Sequence, residues 1–350
     1  MNIGIFLPNW IGDAAMATPT LRALRAKFPE ARLVGIMRPY VADVLAGTPW
    51  LDEQILYEPK SDDPSQRGIA LVRRLRRERL DTIVLLTNSA RTALLAWISG
   101  ARERIGYARN LRGFLLTRKL QPPRQDGRYV PAPVLDYYLE LAYALGCPIE
   151  SPRLELATLP DDERRAEQVW RRLRLPGGQD VVMLNTGGAF GSAKLWPTGY
   201  FSVLAGRIAT QLDKTVLVLC GPQERELAKA IVAGAAHPRV TSLADETPSI
   251  GLSKACIRRA RLMVSTDSGP RHFAAAFDVP VITLFGPTHI AWSENHYQRA
   301  THLQLELDCV PCQRRTCPLG HHRCMVDLSV DRVYAAVAEE LALGDRSHVA

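Results

Sequence analysis

The stretch of sequence that decides the fold is Leu262-Met263-Val264-Ser265-Thr266-Asp267-Ser268-Gly269-Pro270-Arg271-His272. It begins as a short apolar run of the kind found in strands that are buried in a parallel sheet. The run then turns polar, passes through glycine and proline, and continues as a helical pattern to about residue 277. In open α/β sheets ligands bind at the carboxyl ends of the strands, so residues 265–268 are expected at a binding edge.

The same alternation of strand and helix extends in both directions. Further strand-like runs in the second half lie at 181–185, 215–220, 240–243 and 281–285. In the first half they lie at 2–8, 31–37, 82–87 and 104–107. Strands that alternate with helices imply parallel sheets with right-handed crossovers. The sequence therefore predicts an α/β protein of two Rossmann-like, doubly wound domains facing an interdomain cleft.

A proline-rich interruption separates the two halves. Pro148, Pro152 and Pro160 break the rhythm, and we predict domains at 1–158 and 159–350. A chain of 350 residues suits two domains of ordinary size. The last helical pattern, 329–343, has no strand after it and is predicted to pack back on the first domain.

The chain is basic, with a formal net charge of +8. Such a charge suits anionic lipid, a phosphorylated substrate or nucleic acid, and the alternative is a solvated basic face. The arginine-rich run at 73–79 has no interleaved aromatic residue, so we expect no nucleic-acid partner. Since neither a membrane-spanning stretch nor a signal-peptide pattern is present, the expected location is cytoplasmic.

Two loops that follow predicted strands suggest chemistry. Pro8-Asn9-Trp10-Ile11-Gly12-Asp13 follows the first strand, and Asp13 is there either a helix cap or a general base. Residues 185–197, with the sequence Asn-Thr-Gly-Gly-Ala-Phe-Gly-Ser-Ala-Lys-Leu-Trp-Pro, follow the first strand of the second domain. Glycines allow close approach to a ligand and Lys194 suits a phosphate, although the loop is neither a Walker loop nor GxGxxG. The alternative is a flexible surface turn.

Two anion-suited loops on one edge of a domain fit a diphosphate. The predicted phosphate ligands are Thr186, Gly187, Gly188, Lys194, Ser268, Gly269, Pro270 and His272. Contacts to the nucleotide or the donor sugar are predicted for Asp267, Glu224 and Leu243. For the two acidic residues the reason is that an acidic side chain after a strand can hold a ribose hydroxyl. Contacts to an acceptor are predicted for Asn9, Trp10, Arg109 and Arg112 in the first domain.

Four cysteines crowd into a short segment near the end of the chain, at Cys309, Cys312, Cys317 and Cys324. The opening CxxC indicates a structural metal site, with zinc as the expected ion. A disulfide and free thiols remain alternatives, because the spacing matches no standard zinc module.

Taken together, these motifs resemble glycosyltransferase family 9, the ADP-heptose:lipopolysaccharide heptosyltransferases, and most closely the heptosyltransferase II type. The resemblance rests on residues 8–13, on Gly187-Gly188 with Lys194-Leu195-Trp196-Pro197, on residues 267–272, on Phe285-Gly286-Pro287-Thr288, and on the cysteine tail. The chain departs from the family pattern at 188–190, where an acidic or second hydroxyl residue is usual, and at Arg271, where a smaller residue is usual.

The resemblance implies a GT-B fold and transfer of heptose from ADP-heptose, with inversion, to a lipopolysaccharide inner-core sugar. It implies Asp13 as general base and phosphate contacts from Lys194 and residues 268–272. We expect no required cofactor, because the sequence shows no convincing carboxylate pair for a divalent ion and fixed cations and dipoles could replace one. The acceptor would be lipid-linked, and the enzyme would associate peripherally with the inner membrane.

Three alternatives stay open at this stage. The chain could transfer another nucleotide-activated sugar to a cell-envelope glycan. A nucleotide-sugar epimerase of the same fold would release free sugar and need no acceptor. A non-catalytic, metal-stabilised binding protein would account for the charge and the cysteines, but it would not account for two anion-suited loops on one edge.

Overall fold

A computed structural model describes residues 1–177, 180–188 and 190–347 of the chain, with side chains up to residue 343. Gly178, Gln179, Ala189 and residues 348–350 lie outside the described residues, so the sequence departure at 188–190 is described only in part. The chain divides into two compact units. Unit 1 is Met1–Ala157 with Ala291–His296, and unit 2 is Thr158–Ile290 with Tyr297–Ala350. The main division falls beside the predicted boundary at 158, whereas the return of Ala291–His296 to unit 1 had no sequence signal.

Unit 1 contains a six-stranded parallel sheet in the order β3-β2-β1-β4-β5-β6. Its strands are β1 (Asn2–Phe6), β2 (Arg32–Met37), β3 (Glu53–Leu56), β4 (Thr82–Leu85), β5 (Glu103–Tyr107) and β6 (Arg118–Leu120), followed by a small hairpin of β7 (Arg124–Gln125) and β8 (Arg128–Tyr129). Its helices are α1 (Ile11–Met16), α2 (Thr18–Lys27), α3 (Pro39–Leu45), α4 (Gly68–Arg77), α5 (Ala90–Ile98) and α6 (Val134–Tyr143).

Unit 2 repeats the plan with a sheet in the order β11-β10-β9-β12-β13-β14, again with every pair parallel. Its strands are β9 (Val181–Asn185), β10 (Thr215–Leu219), β11 (Val240–Ser242), β12 (Leu262–Thr266), β13 (Val281–Phe285) and β14 (Ala300–Gln304). Its helices are α7 (Pro160–Arg172), α8 (Thr198–Gln211), α9 (Arg225–Ala235), α10 (Ile250–Arg258), α11 (Pro270–Ala276), α12 (Arg323–Val326) and α13 (Val330–Ser347).

The central strands carry the core of each unit. Every residue of β4, β9, β10, β12 and β13 is buried, because helices cover both faces of a doubly wound sheet. In the strand order 3-2-1-4-5-6 the direction of winding reverses between the two central strands. That switch point lies between β1 and β4 in unit 1 and between β9 and β12 in unit 2. Ligands are therefore expected at the loops that follow these four strands.

The final helix packs within its own unit. Helix α13 packs against α8 and β12 of unit 2, and the prediction that residues 329–343 pack back on the first domain stays a prediction. The buried positions of this helix are Val333, Val337 and Leu341, which are spaced by four residues. They form one apolar stripe, and this stripe packs on unit 2. Across the described helices, none combines the length and the apolar character needed to cross a bilayer.

Candidate active site

The two predicted phosphate loops of unit 2 are joined by hydrogen bonds. Asn185, at the end of β9, donates through Nδ2 to Ser265 Oγ at 2.9 Å and to Ser268 Oγ at 2.7 Å. Thr266 Oγ1, at the end of β12, donates to the carbonyl oxygen of Gly187 at 2.6 Å. The switch point of unit 2 therefore carries one connected polar edge rather than two independent turns.

A buried charge cluster underlies this edge. Lys194 lies in the 3₁₀ turn Ser192–Lys194, and its Nζ donates to Asp267 Oδ2 at 2.6 Å and to the Asp267 carbonyl oxygen at 2.9 Å. Thr288 Oγ1 donates to the same carboxylate at 2.7 Å, and Arg271 Nε lies 3.4 Å from Asp267 Oδ1. Burial acts to raise the pKa of Asp267, but the charges of Lys194 and Arg271 outweigh it and hold that pKa well below its ordinary value. Two cations against one carboxylate leave one net positive charge.

Two of the predicted ligands are buried. His272 is enclosed, and burial followed by the charge of Arg271 lowers its pKa far below the ordinary value. A ring with so low a pKa is neutral at neutral pH, so any contact of His272 with a phosphate would be a hydrogen bond rather than an ion pair, and that contact stays a prediction. Leu243 is buried too, and its N–H donates to the carbonyl oxygen of Val218, so it is a core residue and not a nucleotide contact.

The glycine loop itself is shaped for close approach. A Cβ at Gly187 would lie 2.1 Å from Glu224 Oε1, so a larger residue there would displace that carboxylate. Glu224 Oε2 in turn accepts the N–H of Gly221 at 2.6 Å, which brings the loop after β10 to the same edge. Thr186 Oγ1 is buried without a hydrogen-bond partner among the described residues. Gly188, Ser268, Gly269 and Pro270 are partly exposed, and they are therefore the accessible part of the predicted phosphate site.

The C-terminal tail braces both loops, a feature that the sequence did not reveal. The N–H of Ala193 donates to the carbonyl oxygen of Arg315 at 3.0 Å, and the Ala193 carbonyl oxygen lies 2.7 Å from His322 Nε2. A Cβ at Gly191 would lie 2.4 Å from the Arg315 carbonyl oxygen. The N–H of Gln313 donates to the carbonyl oxygen of Pro287 at 2.8 Å. Residues 313–322 thus fix the loop that carries Lys194 and the loop that leads to Thr288.

The four tail cysteines line one small pocket together with Ala193 and Pro287. None of the four forms a disulfide in the described part of the chain, and burial, followed by the neighbouring Cys312, Cys309 and Cys317, raises the pKa of Cys324 to about 11. Within residues 1–177, 180–188 and 190–347, no three or more His, Cys, Asp or Glu side chains are arranged to hold a metal ion. Structural zinc at Cys309, Cys312, Cys317 and Cys324 stays a prediction.

Asp13 lies at the corresponding edge of unit 1. It is the third residue of α1, whose N-cap is Trp10, so the capping interpretation is wrong. Its side chain is half-buried, and its charge is felt by the buried Tyr138 of α6, whose pKa is raised mainly by burial and then by Asp13. A partly enclosed carboxylate after the central strand β1 suits a group that exchanges a proton with a bound ligand.

The predicted acceptor residues divide into two groups. Asn9 and Trp10 are exposed beside Asp13, and Tyr40 Oη donates to the Asn9 carbonyl oxygen at 2.7 Å. The guanidinium carbon of Arg109, which is half-buried, lies 4.0 Å from the centre of the Tyr129 ring.

Arg112, in contrast, is completely buried. It donates to the carbonyl oxygens of Tyr107 and Thr87, at 3.0 and 2.5 Å, and to Asn88 Oδ1 at 3.1 Å. Burial lowers its pKa to about 10. Arg112 organises the 109–115 turn, and the prediction that it contacts an acceptor is corrected.

Comparison with known proteins now decides the family. Residues 69–323, more than half of the chain, match the model of glycosyltransferase family 9 (heptosyltransferase). The chain belongs to glycosyltransferase family 9. A family 9 relative, lipooligosaccharide heptosyltransferase 2 of Campylobacter jejuni, is 26% identical over 95% of this chain and 96% of its own length.

Solved structures agree with the GT-B fold of this family 9 glycosyltransferase. The E. coli ADP-heptose lps heptosyltransferase II superposes with a TM-score of 0.78 at 22% identity, covering 99% of this chain and all of its own. A glycosyltransferase family 9 protein from Veillonella parvula superposes with a TM-score of 0.81 at 21% identity, covering 97% of each chain. The chain is a glycosyltransferase, and the connected edge of unit 2 and the carboxylate of unit 1 are its two chemically equipped regions.

Proposed function

We propose that this glycosyltransferase moves a heptose from ADP-heptose to a sugar of the lipopolysaccharide inner core. Support comes from its family. Relatives that align with this chain along nearly their whole lengths are named as heptosyltransferases of lipooligosaccharide and lipopolysaccharide. The name of the E. coli structure that shares the fold also contains ADP-heptose.

The single observation that carries the proposal is the buried cluster of Lys194, Asp267 and Arg271 beneath the glycine loop. Its net positive charge lies at the end of β12, where Thr266 Oγ1 donates to the carbonyl oxygen of Gly187 and so joins the cluster's strand to the glycine loop. A leaving nucleoside diphosphate gains negative charge in the transition state, and fixed cations and dipoles stabilise that charge at no reorganisation cost. In this proposal Lys194 and Arg271 supply the positive charge, so no cofactor is required.

Asp13 acts as the general base in the proposed reaction. The acceptor hydroxyl oxygen attacks the anomeric carbon of the donor while the bond from that carbon to the diphosphate oxygen breaks. The hydroxyl proton passes to the Asp13 carboxylate, and attack opposite the leaving group inverts the configuration. The half-buried position of Asp13 after β1 supports this role.

Asn9 and Trp10, which are exposed beside Asp13, and the half-buried Arg109 are proposed to receive the acceptor. Asn9, Trp10 and Arg109 offer an amide, an aromatic face and a cation, which suit the hydroxyls, rings and phosphates of a lipopolysaccharide core. We further propose that the acceptor is lipid-linked and that the enzyme works on the cytoplasmic side of the inner membrane.

One experiment tests the donor and the reaction class together. Calorimetric titration is made with ADP, UDP and GDP, and each nucleotide sugar is then incubated with and without a heptose-deficient lipopolysaccharide acceptor. We expect ADP to bind most tightly and ADP-heptose to be consumed only with acceptor. Tighter binding of UDP or GDP would contradict the donor, and release of free sugar without acceptor would indicate an epimerase.

A further inference from the structure

Five of the exposed large hydrophobic side chains of unit 1 lie on three segments of the chain. Leu111 is 93% exposed, Phe114 80% and Trp97 55%, and the set is completed by Ile69 and Leu94. Single exposed hydrophobic residues are ordinary, whereas a contiguous group marks an interaction surface. Whether these five form one group depends on how their segments pack.

The three segments pack in series. Helix α4, which carries Ile69, contacts α5, and Arg76 Nε of α4 donates to the carbonyl oxygen of Ile98 of α5 at 2.9 Å. Helix α5, which carries Leu94 and Trp97, contacts the 3₁₀ turn Gly113–Leu115. The buried Arg112 ties that turn to the strand β4 edge through the carbonyl oxygen of Thr87. We call the surface formed by Ile69, Leu94, Trp97, Leu111 and Phe114 the α5 face.

Local structure does not account for the exposure. Thr92, Ala93 and Ala96 already bury the inner side of α5, so Leu94 and Trp97 lie on its outer side, three residues apart. Leu111 has φ +58°, a left-handed conformation that leucine rarely adopts, and it gains no burial in return. The turn that Arg112 organises therefore holds Leu111 in a strained and exposed position.

The charge around the α5 face has one sign. Helices α4 and α5 and residues 109–115 contain seven arginines and no acidic residue. Of these, Arg73, Arg76, Arg77 and Arg91 are exposed, while Arg74 pairs with Glu53 and Arg112 is buried.

Acidic residues do approach the face from neighbouring segments. Asp62 and Asp63 adjoin α4, Glu78 pairs with Arg32, and Glu103 pairs with Arg118. They leave the exposed outer sides of α4 and α5 basic. An apolar patch bordered by arginines that face no acidic partner in the described structure complements a surface with anionic groups outside and apolar groups beneath them.

We propose that the α5 face docks unit 1 on an anionic lipid bilayer. The indole of Trp97, the ring of Phe114 and the side chain of Leu111 enter the boundary between headgroups and acyl chains, where amphipathic surfaces bury their apolar side. The arginines lie level with the anionic headgroups, where each basic residue contributes about a fivefold gain in binding. The inference rests on the proposed action at the inner membrane, for which it names the docking surface, and it does not depend on which sugar is transferred.

A second copy of the chain suits the face less well. An isologous dimer through it would oppose arginine to arginine across the symmetry axis, because both partners present the same surface. Nucleic acid would gain from the arginines but not from exposed leucine and isoleucine. The lipid surface is the one occupant that uses both features.

Vesicle flotation of the full chain tests the proposal, with phosphatidylcholine alone and with phosphatidylcholine containing 30% phosphatidylglycerol as probes. We expect at least about tenfold tighter binding to the anionic vesicles, and weaker binding as salt is raised. Equal binding to both compositions, or no binding to either, would overturn the proposal.

Variants locate the contact. Trp97→Ser with Phe114→Ser is expected to weaken binding by about tenfold or more, since each ring loses its buried area. The matched control is Ile149→Ser with Leu319→Ser, two exposed apolar residues that lie outside the α5 face, and its binding should be unchanged. Arg73→Gln with Arg77→Gln is compared with Arg314→Gln with Arg332→Gln, and only the first pair should weaken binding, by about 25-fold.

Two further measurements keep the outcomes distinct. Quenching of tryptophan fluorescence by brominated acyl chains should fall in Trp97→Phe, which reports insertion rather than contact with headgroups alone. If Trp97→Ser with Phe114→Ser instead converts a dimer into a monomer, the face is a protein interface and the proposal fails. Turnover of a delipidated, water-soluble acceptor should be unchanged in that variant, so failure of the transfer reaction itself is recognised separately.

Discussion

The switch points of the two sheets share one strand order but are built differently. In unit 2 the edge after β9 and β12 is held by the buried pair of Lys194 and Asp267, by side-chain hydrogen bonds between the loops, and by the tail. In unit 1 the edge after β1 presents Asn9 and Trp10 exposed and Asp13 half-buried. A fixed cluster suits a constant group such as a diphosphate, and an open edge suits a larger and more variable acceptor. The same topology thus carries a buried, hydrogen-bonded charge cluster in one unit and an open edge with a carboxylate in the other.

Removing the Asp13 carboxylate is the strongest test of the proposed difference in role between the two edges. Asp13→Asn keeps the shape of the side chain, and we expect kcat to fall by a factor of about 100 to 10,000 because no base accepts the acceptor proton. Binding of ADP, measured by calorimetry, should be unchanged. The exposed Asp126→Asn serves as control, and near-normal turnover of Asp13→Asn would contradict the assignment.

The edge of unit 2 is tested by dismantling its charge pair in a double-mutant cycle. Lys194→Met leaves the Asp267 carboxylate buried without its lysine, and we expect the free energy of unfolding to fall by about 3 to 5 kcal/mol. Adding Asp267→Asn should restore most of this stability but not the affinity for ADP. Urea unfolding and calorimetry measure the two quantities.

The exposed pair of Lys214 and Asp180 is the matched control for that cycle. Its removal should cost about 1 kcal/mol or less, since the carboxylate is open to solvent. Recovery of ADP affinity in the Lys194→Met, Asp267→Asn chain would show that the lysine serves stability alone.

The pH dependence of stability should also distinguish the edges. The pKa of Asp267 in the folded protein is depressed below its ordinary value of 3.8. The stability that the ionised Asp267 contributes is therefore complete above the pKa of the group in the unfolded chain, and it is lost as pH falls through its pKa in the folded protein. We expect stability to decline more steeply below about pH 4 in the wild type than in Asp267→Asn. Thermal unfolding between pH 6 and pH 3 measures this, and parallel curves for the two proteins would contradict it.

The smallest expected effect comes from the tail. His322→Ala removes the imidazole beside the Ala193 carbonyl oxygen, and we expect the KM for ADP-heptose to rise by about fivefold with kcat little changed. His321→Ala, one residue earlier and exposed, is the control. A fall in kcat without a change in KM would mean that the brace serves the chemical step.

Buried strands were predictable and edge strands were not. Strands β9, β12 and β13 match the sequence prediction residue for residue, because burial on both faces demands an uninterrupted apolar run. Strands β3 and β14 are half-exposed and carry polar residues such as Glu53 and His302, so their pattern resembles that of a loop.

The site was predictable as a set of loops but not as a set of contacts. Lys194 and Asp267 stood out from their motifs, yet their pairing joins residues that are 73 positions apart and depends on packing. Arg112 looked like a surface cation, and only the carbonyl groups around it reveal why it is buried. Hydrogen bonds from the tail to Ala193 leave no trace in local sequence.

The bonds to Ala193 also set an order of events during synthesis. The loop that carries Lys194 leaves the ribosome long before His322, which lies 129 residues further along the chain, and before Arg315. Until those residues emerge, the loop lacks two of the bonds that fix its backbone. The backbone of the loop that carries Lys194 is therefore completed only once the chain through His322 has been made.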